Sequence, residues 1–133
     1  MLQTLNRFTK TALVLVLTAT TATAQIPCVD GNAGGYPCQN IDLMGYLSSD
    51  EVGGGDMNDI WGWIDPSDGT EYAILGRSTG TSFIDISDPA NPIMVANLPT
   101  NTVTSFWRDI KVHDNHAFIV SEASGHGMQV VDL

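Results

Sequence analysis

The chain has 133 residues, of which 43% are hydrophobic, and 15 acidic residues outnumber its five Lys and Arg residues. The formal net charge at pH 7 is −10. Nucleic acids and anionic membrane surfaces are therefore poor partners, because binding to phosphate depends mainly on Lys and Arg side chains. We interpret the acidity as favouring solubility outside the cell, in preference to a cation-binding role.

The first 24 residues have the three parts of a secretion signal. Arg7 and Lys10 supply positive charge, residues 12–17 form a short apolar core, and small residues place the cleavage site between Ala24 and Gln25. A membrane-spanning helix needs about 20 apolar residues, and no segment of the chain provides them. We predict a secreted, extracellular or cell-surface protein with no transmembrane segment after cleavage. A retained N-terminal anchor helix is the alternative.

Residues 25–57 are predicted to form a glycine-rich lead-in that contains a disulfide loop. Cys28 and Cys38 lie close together, and such a pair in an exported protein is typical of a disulfide. A redox-active or metal-binding pair is the alternative, but the spacing fits neither a C-x-x-C motif nor a zinc knuckle. Residues 53–55 are three glycines that we interpret as a flexible connection, because a phosphate-binding loop would need a following helix and usually a Lys.

The next block predicts four strands joined by turns. Its β-branched and aromatic residues occur in short runs, and the runs are separated by segments rich in Pro, Asp, Asn, Ser and Gly. The predicted strands are residues 59–63, 71–76, 80–86 and 93–98. Four antiparallel strands with tight connections are typical of one β-propeller blade.

A second block echoes the first at offsets of 44 to 50 residues, with predicted strands at residues 109–113, 117–122 and 129–133. The fourth strand is missing from this block. A period of this size predicts blades of a propeller, and closed propellers have about four to eight of them. We therefore expect an all-β partial propeller of four-stranded antiparallel blades over residues 58–133, with about two blades present and the second truncated at the C-terminus. We expect the intact protein to be several times longer.

Several ordered motifs also carry a resemblance to a known family. They are Cys28 to Cys38, Asn58-Asp59-Ile60-Trp61-Gly62-Trp63, Glu71-Tyr72-Ala73, Gly80-Thr81-Ser82-Phe83-Ile84-Asp85-Ile86, Trp107-Arg108-Asp109-Ile110-Lys111 and Gly125-His126-Gly127-Met128-Gln129-Val130. In this order they resemble the choice-of-anchor B proteins, which are related to LVIVD-repeat propellers. The resemblance implies an exported or cell-surface bacterial protein whose C-terminal anchor would lie beyond residue 133. It implies no catalytic residues.

Polar residues recur where the first strand of each block begins. Asp59 lies at this position in the first block, and Arg108 and Asp109 lie there in the second. In a propeller these strands lie nearest the central channel, so the three side chains are candidates for ligand binding at the channel mouth. Their recurrence favours a structural role, such as capping a turn or pairing Asp with Arg.

The segment 121–127 is the most site-like stretch of the chain. It places Glu122 and His126 between flexible residues, where the first block has only Ser78 and Thr79. Departure from a repeat is expected of a functional site grafted on a scaffold. Glu122 and His126 are therefore candidates for ligand or metal binding, with a solvated loop as the alternative.

The three tryptophans, Trp61, Trp63 and Trp107, are large enough to stack on a sugar, although packing between blades is the favoured interpretation. No cofactor is predicted. Calcium is a weaker alternative at the acidic turns 65–69 and 85–88, neither of which matches an EF-hand loop.

Together these patterns favour a binding or scaffold module for an extracellular protein or carbohydrate. The alternative is a secreted hydrolase or lyase with a metal or acid–base site at the channel mouth, and a purely structural surface protein is a third hypothesis.

Overall fold

The computed structural model describes residues 25–133, so the predicted secretion signal lies outside the described residues. This part of the chain is all-β and has antiparallel sheets of two, four and three strands. Within it, no helix is long and apolar enough to cross a membrane. The strands are β1 Asn32–Ala33, β2 Tyr36–Pro37, β3 Met57–Ile64, β4 Glu71–Arg77, β5 Gly80–Asp85, β6 Ile93–Pro99, β7 Arg108–His113, β8 His116–Ser121 and β9 Met128–Asp132.

The lead-in contains the predicted disulfide. Cys28 and Cys38 are bonded and close a loop in which β1 pairs with β2. The turn between these strands uses Gly34 and Gly35, which both have positive φ angles that glycine adopts without steric cost. On the chain-entropy model, a cross-link over so short a loop stabilises the folded state by roughly 2–3 kcal/mol.

The first block forms a four-stranded sheet, which we call sheet 1, in the order β3-β4-β5-β6. All neighbouring strands are antiparallel and consecutive along the chain. The sequence prediction of four strands is confirmed, with boundaries that differ by at most two residues. β3 starts at Met57, slightly earlier than predicted, and its register shifts between Met57 and Ile60.

The second block forms a three-stranded sheet, sheet 2, in the order β7-β8-β9. The β7–β8 hairpin turns at Asp114 and Asn115, which both have positive φ, and His113 pairs with His116 beside the turn. Asn and Asp tolerate this left-handed conformation, which two-residue hairpin turns require. The strands predicted at residues 109–113, 117–122 and 129–133 are confirmed, with boundaries that differ by one residue.

The two larger sheets stack face to face and enclose the core. Ile74 and Phe83 of sheet 1 meet Ile110, Ala117 and Ile119 of sheet 2 in one buried cluster. β3 and β7 contact one another along this junction. A fully buried aliphatic side chain contributes roughly 1.5–3 kcal/mol, so this cluster holds the sheets together.

Candidate functional site

Two side chains of β3 bind the backbone of β7. The Asn58 Oδ1 atom accepts the N–H of Arg108 at 3.0 Å, and the Asp59 Oδ2 atom accepts the N–H of Ile110 at 2.8 Å. Both bonds lie at the beginning of the two strands, where the sequence predicted polar candidates. Asp59 therefore ties sheet 2 to sheet 1.

The Arg108 side chain is only 3% exposed and lies inside this junction. Its Nε donates to the Arg77 carbonyl at 3.0 Å, one Nη donates to Thr100 Oγ1 at 3.0 Å, and the other contacts His126 Nε2 at 3.2 Å. Among residues 25–133, no carboxylate forms an ion pair with it. Burial, and secondly the positive charge of Arg77, lower the pKa of Arg108, although an arginine starts so far above neutrality that it stays charged.

The contacts of His126 determine which of its two ring nitrogens carries the proton. The Arg108 guanidinium can only donate, so His126 Nε2 accepts and the proton is assigned to Nδ1, which lies 3.0 Å from the Gly127 carbonyl oxygen. The residue is 3% exposed, and its own carbonyl accepts from Asn101 Nδ2 at 3.0 Å. Both ring nitrogens are thus engaged inside the protein, and a ligand role for His126 would require breaking one of these contacts.

Sequence reasoning missed Arg77, which is buried beside Arg108. One Nη donates to the carbonyl of Gly53 at 2.6 Å and to that of Gly54 at 2.9 Å, and the other Nη donates to Asn97 Oδ1. A Cβ at Gly53 would approach the guanidinium to about 3.0 Å, and its φ is +98°. The glycine segment is thus held by a buried cation, and the only sequence signal for this is an Arg at the end of an otherwise apolar strand.

An open cavity of about 340 Å³ lies where β7 begins and β8 ends. It brings together three of the five candidates, Arg108, Asp109 and Glu122, whereas Asp59 and His126 do not line it. Its lining is Asn58, Trp107, Arg108, Asp109, Val120, Ser121 and Glu122.

Trp107 is the exposed aromatic of this cavity. Its side chain is 56% exposed, and Phe106 meets it edge-on at a centroid distance of 5.0 Å. Its carbonyl accepts the Ser121 hydroxyl at 3.0 Å and the Glu122 N–H at 3.3 Å. The backbone on both sides of the cavity is therefore fixed, and the indole is presented to solvent.

Asp109 is the carboxylate of the cavity that forms an ion pair. Lys111 Nζ lies 2.7 Å from its Oδ1, and this hydrogen bond is the main cause that holds the pKa of Asp109 below its usual range. The same Nζ lies 4.5 Å above the ring centre of Trp61, a cation–π contact that keeps the ammonium near Asp109. Asp109 is therefore ionised at neutral pH.

The acidic turns considered for calcium bind their own backbone. Asp65 Oδ1 accepts the Ser67 N–H at 2.8 Å, and Asp85 Oδ1 accepts the Ser87 N–H at 2.9 Å. These are the local side-chain bonds expected of Asp in turns. In the part of the chain that the structure describes, no group of three or more His, Cys, Asp or Glu residues could hold a metal ion.

Comparisons of the chain with protein-family models, with curated proteins and with solved structures gave no match. The resemblance to choice-of-anchor B proteins thus stays a prediction.

Proposed function

We propose that the chain belongs to an exported β-propeller that acts as a binding or scaffold module at the cell surface or outside the cell. The bond from Asp59 to the first strand of the next sheet supports this architecture. Asp109 occupies the matching position of the second block, and its carboxylate is largely exposed. In a propeller, Asp109 would offer the same bond to a further blade.

The ligand that the cavity fits best is a neutral carbohydrate. The observation that carries this assignment is the exposed indole of Trp107 beside the Glu122 and Ser121 side chains in one cavity. An indole face packs against the C–H face of a sugar, while carboxylate and hydroxyl oxygens hydrogen-bond its hydroxyl groups. The acidic chain would repel anionic sugars.

The experiment is calorimetric titration of the protein with a panel of neutral oligosaccharides built from glucose, galactose, mannose or xylose. We expect one class to bind and Trp107→Ala to weaken its affinity about tenfold, the loss of a single aromatic contact, with Trp107→Phe intermediate. Tyr46→Ala, which removes an exposed aromatic of the lead-in outside the cavity, is the matched control and should bind as the wild type does. Binding to no sugar of the panel, or an equal loss in the control, would refute the assignment.

A second candidate is a secreted hydrolase, since two carboxylates, Asp109 and Glu122, line one cavity. Glycoside hydrolysis generally needs an acidic pair in which one member is ionised and the other donates a proton. Asp109 would be the ionised member because of Lys111. Glu122→Gln should then abolish product formation from a bound oligosaccharide while leaving affinity within about twofold. If the wild type forms no product at a saturating sugar concentration, the hydrolase hypothesis is refuted and only the binding function remains.

A further inference from the structure

Tyr36 and Tyr46 form an exposed aromatic pair on the lead-in. Their ring centres are 5.6 Å apart, and the ring planes are inclined by 36°. The two residues are 47% and 61% exposed, so the contact between the rings is open to solvent. Neither residue lines the cavity beside Trp107 or belongs to the core cluster. The pair is thus separate from every site described above.

The two rings come from segments that are anchored separately. Tyr36 lies in β2, two residues before the disulfide-bonded Cys38. Tyr46 follows Gly45, and a Cβ at Gly45 would lie 2.5 Å from the carbonyl oxygen of Pro89 in the β5–β6 connection. The backbone before Tyr46 is therefore packed closely against sheet 1, whereas Tyr36 is held by the disulfide loop. This arrangement keeps the two rings together.

The hydroxyl groups of the pair also lie next to one another. Hydrogen bonding to the Tyr46 side chain is the main cause that raises the pKa of Tyr36, so this phenol is protonated at neutral pH. Oxidation of a protonated phenol removes a proton together with an electron. When two tyrosyl radicals couple, the bond joins ring carbons next to the hydroxyl groups, and the product places its two hydroxyl groups side by side. The observed pair already has this arrangement.

We propose that Tyr36 and Tyr46 are an oxidative modification site, at which a peroxidase acting with hydrogen peroxide couples the two rings into dityrosine. Each phenol loses one electron and one proton, and the two radicals form a single C–C bond between ring carbons next to the hydroxyl groups. The hydrogen on each joined carbon then moves to the oxygen of its own ring, which restores both phenols. The two electrons and two protons reduce one hydrogen peroxide to two water molecules.

The cysteines of the chain favour this chemistry. Cys28 and Cys38 are its only cysteines, and they are bonded to one another, so no thiol of the protein competes for the radicals. The new bond closes the lead-in covalently a second time. Thiol reductants open disulfides but do not cleave a C–C bond, so this closure persists under reducing conditions. The inference is independent of the carbohydrate site.

The experiment treats dilute protein with a peroxidase and hydrogen peroxide. We expect a monomer that has the blue fluorescence of dityrosine and has lost the mass of two hydrogen atoms, with the bond mapped to Tyr36 and Tyr46 by peptide mass spectrometry. Tyr36→Phe and Tyr46→Phe each remove one phenol and should lose both signals. Tyr72→Phe is the matched control and should keep them, because Tyr72 is the third tyrosine of the chain and its ring stacks on Trp63.

A second measurement tests whether the fold holds the rings together. Protein unfolded in urea with its disulfide intact should form the cross-link more slowly, and a parallel sample of free tyrosine corrects for the effect of urea on the peroxidase. Three results would overturn the proposal. They are a wild type that forms dityrosine only between molecules or not at all, a cross-link within the monomer that survives in Tyr36→Phe, and equal rates for folded and unfolded protein.

Discussion

β5 and β9 have closely similar sequences but very different surroundings. In sheet 1, Phe83 of β5 lies in the buried cluster between the sheets. In sheet 2, Val130 occupies the matching position of β9 and is 51% exposed. The run of β-branched, aromatic and aliphatic residues therefore predicts a strand in both places, while neighbouring strands and sheets decide how much of it is buried.

The largest expected effect comes from truncating Phe83, with the matching truncation of Val130 as the comparison. Phe83→Ala removes a ring from the core and should lower the free energy of unfolding by about 3–5 kcal/mol, because the cavity cannot fully close. Val130→Ala should cost less than about 0.5 kcal/mol, as is usual for exposed positions. Urea unfolding followed by tryptophan fluorescence measures both. Similar losses for the two variants would mean that β9 is as well covered as β5.

Arg108 tests the junction that joins the two sheets. Arg108→Leu leaves the Arg77 carbonyl, Thr100 and His126 without the donor that each now has, and unpaired buried polar groups cost about 1–3 kcal/mol each. Relaxation and the added apolar surface offset part of this, so we expect a loss of about 2–4 kcal/mol.

The exposed Lys111→Leu is the control for removing a cation from the same strand and should lose less than about 1 kcal/mol. Equal stability of Arg108→Leu and the wild type would show that the buried guanidinium contributes nothing to the junction.

Asp59 and Asp109 offer a matched pair with a smaller expected difference. Asp59→Ala removes a charged acceptor from the Ile110 N–H and should cost about 1.5–3 kcal/mol. Asp109→Ala removes a solvent-exposed ion pair with Lys111, worth at most about 1 kcal/mol. Thermal unfolding of both variants gives the comparison. If Asp109→Ala proves the more harmful, Asp109 has a structural partner beyond Lys111.

The parts of this molecule that sequence predicted are those with local causes. Runs of β-branched and aromatic residues predicted the strands of both larger sheets, and the spacing of Cys28 and Cys38 predicted their disulfide. Three candidates, Arg108, Asp109 and Glu122, do line one cavity. The strands and the disulfide depend on runs of residue types and on short separations along the chain.

The interior of the junction could not be predicted in the same way. The contact between Arg108 and His126 depends on the path of the loop between β8 and β9, in which Gly125 and Gly127 both have positive φ. The loop therefore turns His126 inward, whereas Glu122 lines the cavity. The sequence suggested a shared site for these two residues because they lie close together along the chain. That closeness contains no information about how the loop turns.

The smallest predicted effect concerns the pH dependence of the stability that Asp109 of sheet 2 contributes. The folded-state pKa of Asp109 is lowered, chiefly by its hydrogen bond with Lys111, so the folded state binds fewer protons there than the unfolded state. The resulting stabilisation is present above the ordinary Asp pKa of about 4 and is lost as the pH falls through the lower folded value. Because the pair is exposed, Asp109→Asn should be less stable than the wild type by under about 1 kcal/mol at pH 7, and the difference should vanish near pH 2. Urea unfolding at both pH values measures this, and at about 1 M salt the pH 7 difference should also shrink. A difference that persisted at pH 2 would assign the effect of Asp109 to packing or hydrogen bonding that does not depend on its charge.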